Sequence, residues 1–223
     1  DGPGQRPSGP PQGDAAWRLL GCAITAALAG WHEAGDEIGC AKAEAVRGNL
    51  FTWLADTDGA ERRAHLRGAA QAYQNAMDAA EKAGDIELYG PVGALYGETC
   101  WALSHEPGEQ AMRTLKSALH GLSEAGRAVP LDDRPDSWVA IRIMAAQVLV
   151  EMADLHPKRA NEFWGEAFRA AWAAWTALAY RDSLHTASAQ AARDLLVRVS
   201  AQIGEIFDTF WQESDFGVRP EWL

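Results

Sequence analysis

Cysteine is scarce in this sequence: Cys22, Cys40 and Cys100 are the only three among 223 residues, and no two share a CxxC spacing. So sparse and odd a set makes no disulfide framework, and it suits reduced thiols in a cytoplasm. Long apolar runs are missing too. The run from Leu19 to Leu28 is too short to cross a bilayer, and a nearly charge-free start precedes it in place of a basic leader. Basic excess is also absent: 20 Lys and Arg stand against 31 Asp and Glu, a formal charge of −11. A phosphate backbone needs a concentrated basic footprint, so nucleic acid is not expected as a direct partner, and anionic membranes are disfavoured likewise. No stretch alternates with period two between turn signals, which removes β-sheet from the expected fold. HExxH, ExxH, GxSxG and GxxxxGK do not occur. Their absence argues against the commonest metalloprotease, di-iron bundle, serine hydrolase and P-loop chemistries.

What the chain does have is a recurring phrase. Glu33-Ala34-Gly35-Asp36, Lys82-Ala83-Gly84-Asp85 and Glu124-Ala125-Gly126-Arg127 each close a long Ala-rich run with helical periodicity. Glycine just past a helical run stops it by taking the left-handed cap conformation without a Cβ penalty. Between these stops lie other breakers: Asp56-Thr57-Asp58-Gly59, His105-Glu106-Pro107-Gly108 and His156-Pro157. Both sets recur at roughly 40–50 residues, the range of helical-hairpin repeats.

This punctuation predicts about eight helices: Ala15 to Ala34 with Asp14 as N-cap, Glu37 to Ala55, Ala60 to Ala83, Tyr89 to Ser104, Glu109 to Ala125, a sixth capped by Asp136 or Ser137, Lys158 to Tyr180, and Ser183 to Trp211. In the fourth, Pro91 is placed in the first turn, where its missing N–H costs nothing. Residues 1–13, DGPGQRPSGPPQG, are read as a flexible linker or tag, and 14–223 as a single all-helical domain. The fold class is all-α, with antiparallel helical hairpins packed as a repeat stack or as a bundle.

Leu95 and Tyr96 before a helix, Pro107-Gly108 at a turn, and Ala111 and Ala118 where small residues let two helices approach give the stretch Ala94 to Gly121 a recognisable pattern. It resembles one tetratricopeptide-type helix-turn-helix, although Thr99 stands where that family usually has glycine. The resemblance implies a scaffold whose concave face binds a peptide or helix of another protein. Lys42 and Asn49 are the nearest counterparts of the carboxylate clamp of some family members, but their spacing does not reproduce it.

Aromatic residues are the main functional lead. Ten tryptophans are many for this length. Trp164, Phe168, Trp172 and Trp175 make one helical stripe with Phe163 beside it, and Phe210, Trp211 and Trp222 follow. Such a stripe builds a core or anchors a partner. Trp164, Phe168, Trp172, Trp175 and Trp211, with the basic face Arg62, Arg63 and Arg67, form the candidate partner-binding set, the partner being another protein or a second copy. The expected function is a non-catalytic scaffold or adaptor, with no catalytic residue, cofactor or metal.

Two other readings remain open. Glu151 and Asp154, three apart, resemble half of the magnesium site of all-α nucleotide pyrophosphohydrolases, with Glu33/Glu37 or Glu162/Glu166 as a second carboxylate pair. The chain also suits a helical subunit of a larger, nucleoprotein assembly. His32, Asp36 and Cys40 at i, i+4 and i+8 need an unbroken helix across Gly35, which the stop there forbids. His65 and His120 are expected to pair with Glu61 and Glu124 one turn away.

Overall fold

The computed structural model describes residues 12–214 and 216–223, with side chains from Trp17 onward. The described residues are all-helical, without a strand, and fall into two compact units divided between Ala83 and Gly84. The expected linker lies mostly outside the described residues. Its last two positions and Asp14 belong to the first helix, so Asp14 is not a cap.

The first unit contains α1 (Gln12–Ala34), α2 (Glu37–Thr57) and α3 (Arg62–Ala83). Gly35 takes φ +68°, and the Asp36 and Gly35 amides bond back to the Trp31 and His32 carbonyls at 2.9 and 3.2 Å. This closes the last turn of α1 with a Schellman pattern. The next residue starts α2, because the Asp36 carboxylate accepts the Gly39 amide at 2.8 Å. Ile24 and Leu28 of α1 then pack on Ala43 and Leu50 of α2. Between α2 and α3 the Tyr73 ring fills the space a side chain at Gly48 would need, and its hydroxyl donates to Asn49 Oδ1 at 2.7 Å. Asn49, itself exposed, is thereby tied to α3.

The second unit contains α4 (Ile86–Ser104), α5 (Ala111–Ala128), α6 (Pro135–Leu155), α7 (Ala160–Tyr180), α8 (Ala187–Ile203) and the short α9 (Phe207–Glu213). Gly84 repeats the stop of Gly35 at φ +69°, and Asp85 repeats the cap, accepting the Leu88 amide at 3.0 Å. That cap starts α4 earlier than expected, so Pro91 lies inside the helix and Leu95 and Tyr96 sit at its middle. Consecutive helices pack as hairpins: α4 with α5, α6 with α7, and α7 with α8.

Two expected ends are corrected. The third phrase is not a stop: α5 runs through Gly126 to Ala128, and Gly126 is buried against Ile141 and Arg142. The difference is the following residue, since Arg127 offers no N-cap carboxylate where Asp36 and Asp85 do. Conversely, Ser183 to Trp211 is not one helix. It starts at Ala187 behind a Thr186 cap and breaks at Gly204, φ +63°, before α9. Among the described residues no helix is long and apolar enough to cross a membrane.

Candidate functional site

The aromatic stripe of α7 faces inward. Phe168 is 0 % exposed, and Trp164 and Trp211 are buried, while Trp172 and Trp175 are half-buried. The break at Gly204 lets α9 bring its rings onto α7: Phe168 lies 5.2 Å from Phe207, 5.6 Å from Phe210 and 5.9 Å from Trp211, centroid to centroid. Phe216 adds a contact at 5.3 Å. Most of these pairs are edge-to-face, the arrangement that ring quadrupoles favour. Trp211 Nε1 donates to the Gly217 carbonyl at 3.1 Å, and Trp222 packs edge-on to Trp175 at 5.0 Å. The structure thus brings all five candidate aromatics into contact with the segment from Phe207 onward or into the core. In the first unit, Arg62, Arg63 and Arg67 each interact within the chain already, Arg62 lying 3.5 Å from Asp56.

An open groove exists elsewhere on the second unit. A cavity of about 400 Å³ lies between the loop after α5, the first turns of α6 and the last turns of α7. Trp138 makes one wall, and Ala173 and Ala177, one turn apart, leave the space that larger side chains would fill. Leu131, 37 % exposed, and Tyr180, 95 % exposed, form the lip, with Asp132 and Arg181 adding opposite charges beside them.

Local sequence builds this shape. Pro130 follows the last turn of α5, and Pro135 opens α6 at N1, so the intervening residues, Leu131 among them, are held as a short exposed loop. α7 ends in a Schellman pattern in which Asp182, φ +54°, stands where glycine is usual. The Asp182 and Ser183 amides bond to Ala179 and Leu178 carbonyls at 3.1 and 2.9 Å. Arg142 lies 4.8 Å over Trp138 and stiffens that wall, and its burial lowers its pKa from the ordinary guanidinium value. The sequence reading missed Leu131 and Tyr180. An apolar residue in a proline-flanked acidic loop was the available signal.

The titratable clusters are occupied by structural work. Glu151 accepts Trp101 Nε1 at 2.9 Å and sits 3.0 Å from His105 Nε2, tying α6 to α4. Asp154 instead faces Arg198 of α8 at 3.5 Å. Glu162 and Glu166 pair with Arg159 and Arg169 at 2.5 and 2.6 Å. Among the described residues no group of three or more His, Cys, Asp or Glu side chains is arranged to hold a metal ion. The expected helical His–Glu pairs are replaced: His65 lies 3.8 Å from Asp58, and Glu124 pairs with Arg127 at 2.5 Å.

His32 and Cys40 do meet, although on different helices. The turn at Gly35 sets Cys40 Sγ 3.6 Å from His32 Nδ1, while Asp36 is committed to its cap. This is no activated nucleophile. Burial first, then the carboxylates of Glu37, Asp36 and Glu44, raise the Cys40 pKa, so the neutral thiol dominates. Burial likewise pushes Cys100 up to about 11.

Compared with known protein families and with curated proteins, the chain matches none.

Proposed function

We propose that this chain is a non-catalytic helical scaffold or adaptor that takes a segment of another protein into the groove beside Trp138. The observation that carries the reading is the groove itself: an open cavity of about 400 Å³ with alanines below, Trp138 at its side and an almost fully exposed Tyr180 at its lip. A bare tyrosine of this kind is a ready anchor, since it covers a large apolar area at low entropic cost. One apolar side chain entering the groove contributes about 2 kcal/mol, which alone is far short of stable binding. The partner is therefore an extended peptide or a helix with an apolar anchor and flanking charges. Asp132 and Arg181 orient it and reject sequences with the charges reversed.

The scaffold is read as tetratricopeptide-like on the α4–α5 hairpin. Support comes from fully buried Ala118, whose carbonyl lies 3.0 Å from where a Cβ on Gly97 would stand. Three free thiols, Cys22, Cys40 and Cys100, support a reducing cytoplasm as its location.

The test is selection from a phage-displayed random peptide library on the immobilised full chain. Enriched peptides should carry an apolar or aromatic anchor and bind Trp138→Ala or Tyr180→Asp at least about tenfold more weakly, a loss of about 1.4 kcal/mol. Failure to enrich any peptide, or equal binding to both variants with their helicity intact, would remove the proposal.

A further inference from the structure

The first unit holds a second cavity, of different chemistry, and its origin can be traced to one residue. On α1 the positions facing α2 are Trp17, Gly21, Ile24, Leu28 and Trp31, spaced by alternating steps of four and three. That spacing is the seam by which two helices interlock. Ile24 and Leu28 fill their places against Ala43 and Leu50, with Trp17 and Trp31 packed alongside. Gly21 leaves its place vacant: a Cβ built there would meet nothing within 4 Å. A cleft of about 410 Å³ opens at this point, lined by Trp17, Leu50, Phe51 and Leu54. The cleft opens to solvent, and a ligand seated in it would bury apolar surface against these side chains.

The mouth of the cleft is cationic in a chain of charge −11. Arg18 and Arg47 both line it. Arg47 is only partly satisfied within the protein: one terminal nitrogen reaches Glu44 at 2.6 Å, but its Nε is buried without a hydrogen-bond partner. Glu44 already gives Arg47 an anionic partner, so the exposed guanidinium of Arg18 supplies the net positive charge at the mouth. An aromatic floor, a volume in the range of small-molecule sites and two guanidinium groups are the complement of one ligand class. We infer that the α1–α2 cleft binds a small organic anion with an aromatic body, the ring against Trp17 and Phe51 and the acidic group at Arg18 and Arg47. The site shares no residue with the groove beside Trp138 and does not depend on that reading.

The experiment uses the full chain and two dyes of similar body: anionic 8-anilinonaphthalene-1-sulfonate and neutral N-phenyl-1-naphthylamine. Saturable binding of the anionic dye at one site per chain is expected. Gly21→Leu, which fills the vacancy, should weaken both dyes more than about tenfold. Its thermal midpoint should be equal or higher, because glycine is a poor helix residue. Leu54→Trp, filling the cleft from α2, should do the same and guards against a misfolded first variant. Arg18→Gln should weaken the anionic dye about fivefold and the neutral dye less than about twofold. Dye binding untouched by Gly21→Leu and Leu54→Trp would overturn the site, as would binding lost in Trp138→Ala instead. Equal loss of both dyes in Arg18→Gln would overturn the anionic ligand class.

Discussion

Where α4 meets α5, a Cβ on Gly121 would stand 2.7 Å from the Tyr96 ring and 2.8 Å from the Gly93 carbonyl, and one on Gly97 would strike Leu122 at 2.6 Å. Where α7 meets α9, Phe168 alone touches Phe207, Phe210 and Trp211 within 6 Å, centroid to centroid. The first contact brings two backbones together by removing side chains. The second holds two helices apart and fills the gap with rings. Both give dry, close packing, but they fail differently: one tolerates no added atom, the other no lost one.

Phe168→Ala should have the largest effect. Deleting a ring at the centre of the cluster, fully buried, should cost about 4 kcal/mol by denaturant unfolding. A cost below about 1 kcal/mol would mean that the surrounding rings collapse into the space and that the cluster is not the organised core described. Gly121→Ala comes next, at about 2–3 kcal/mol from overpacking. A double variant with Tyr96→Ala should not recover it, because the Gly93 carbonyl also stands in the way. Recovery there would show that the ring, not the backbone, sets the approach. The smallest effect sharpens the same contrast on a glycine that only resembles the others. At Gly126 the nearest atom to an added Cβ is Ile141 Cγ2 at 3.6 Å, an ordinary contact. Gly126→Ala should therefore stabilise the chain by about 0.5–1 kcal/mol through helix propensity. Destabilisation would indicate a turn or close approach there after all.

The glycines at helix ends explain what was legible in the sequence. Helix ends could be read where stop and start adjoin: Gly35-Asp36 and Gly84-Asp85 pair a left-handed cap with an N-cap carboxylate in two residues. Gly126 carries the same preceding letters, but Arg127 follows it in place of an N-cap aspartate, and α6 packs against it, which only the fold reveals. The break at Gly204 was missed because apolar periodicity continues on both sides of it.

The inward stripe of α7 was legible as a stripe. What covers it was not, since the covering rings arrive only because the chain turns at Gly204. The groove was least visible of all. Leu131, Trp138, Ala177 and Tyr180 come from three elements, and none belongs to a motif. The cleft at Gly21 is the intermediate case, since its seam is written along α1 but the vacancy has meaning only opposite α2.

The proposed function depends most heavily on the groove beside Trp138. Amide hydrogen exchange of the full chain, with and without a saturating library-selected peptide, tests this directly. Added protection is expected only in the loop at residues 130–134, the start of α6 and the last turns of α7. Protection confined to the first unit or to the face of α5, with residues 130–138 and 173–181 unchanged, would contradict it.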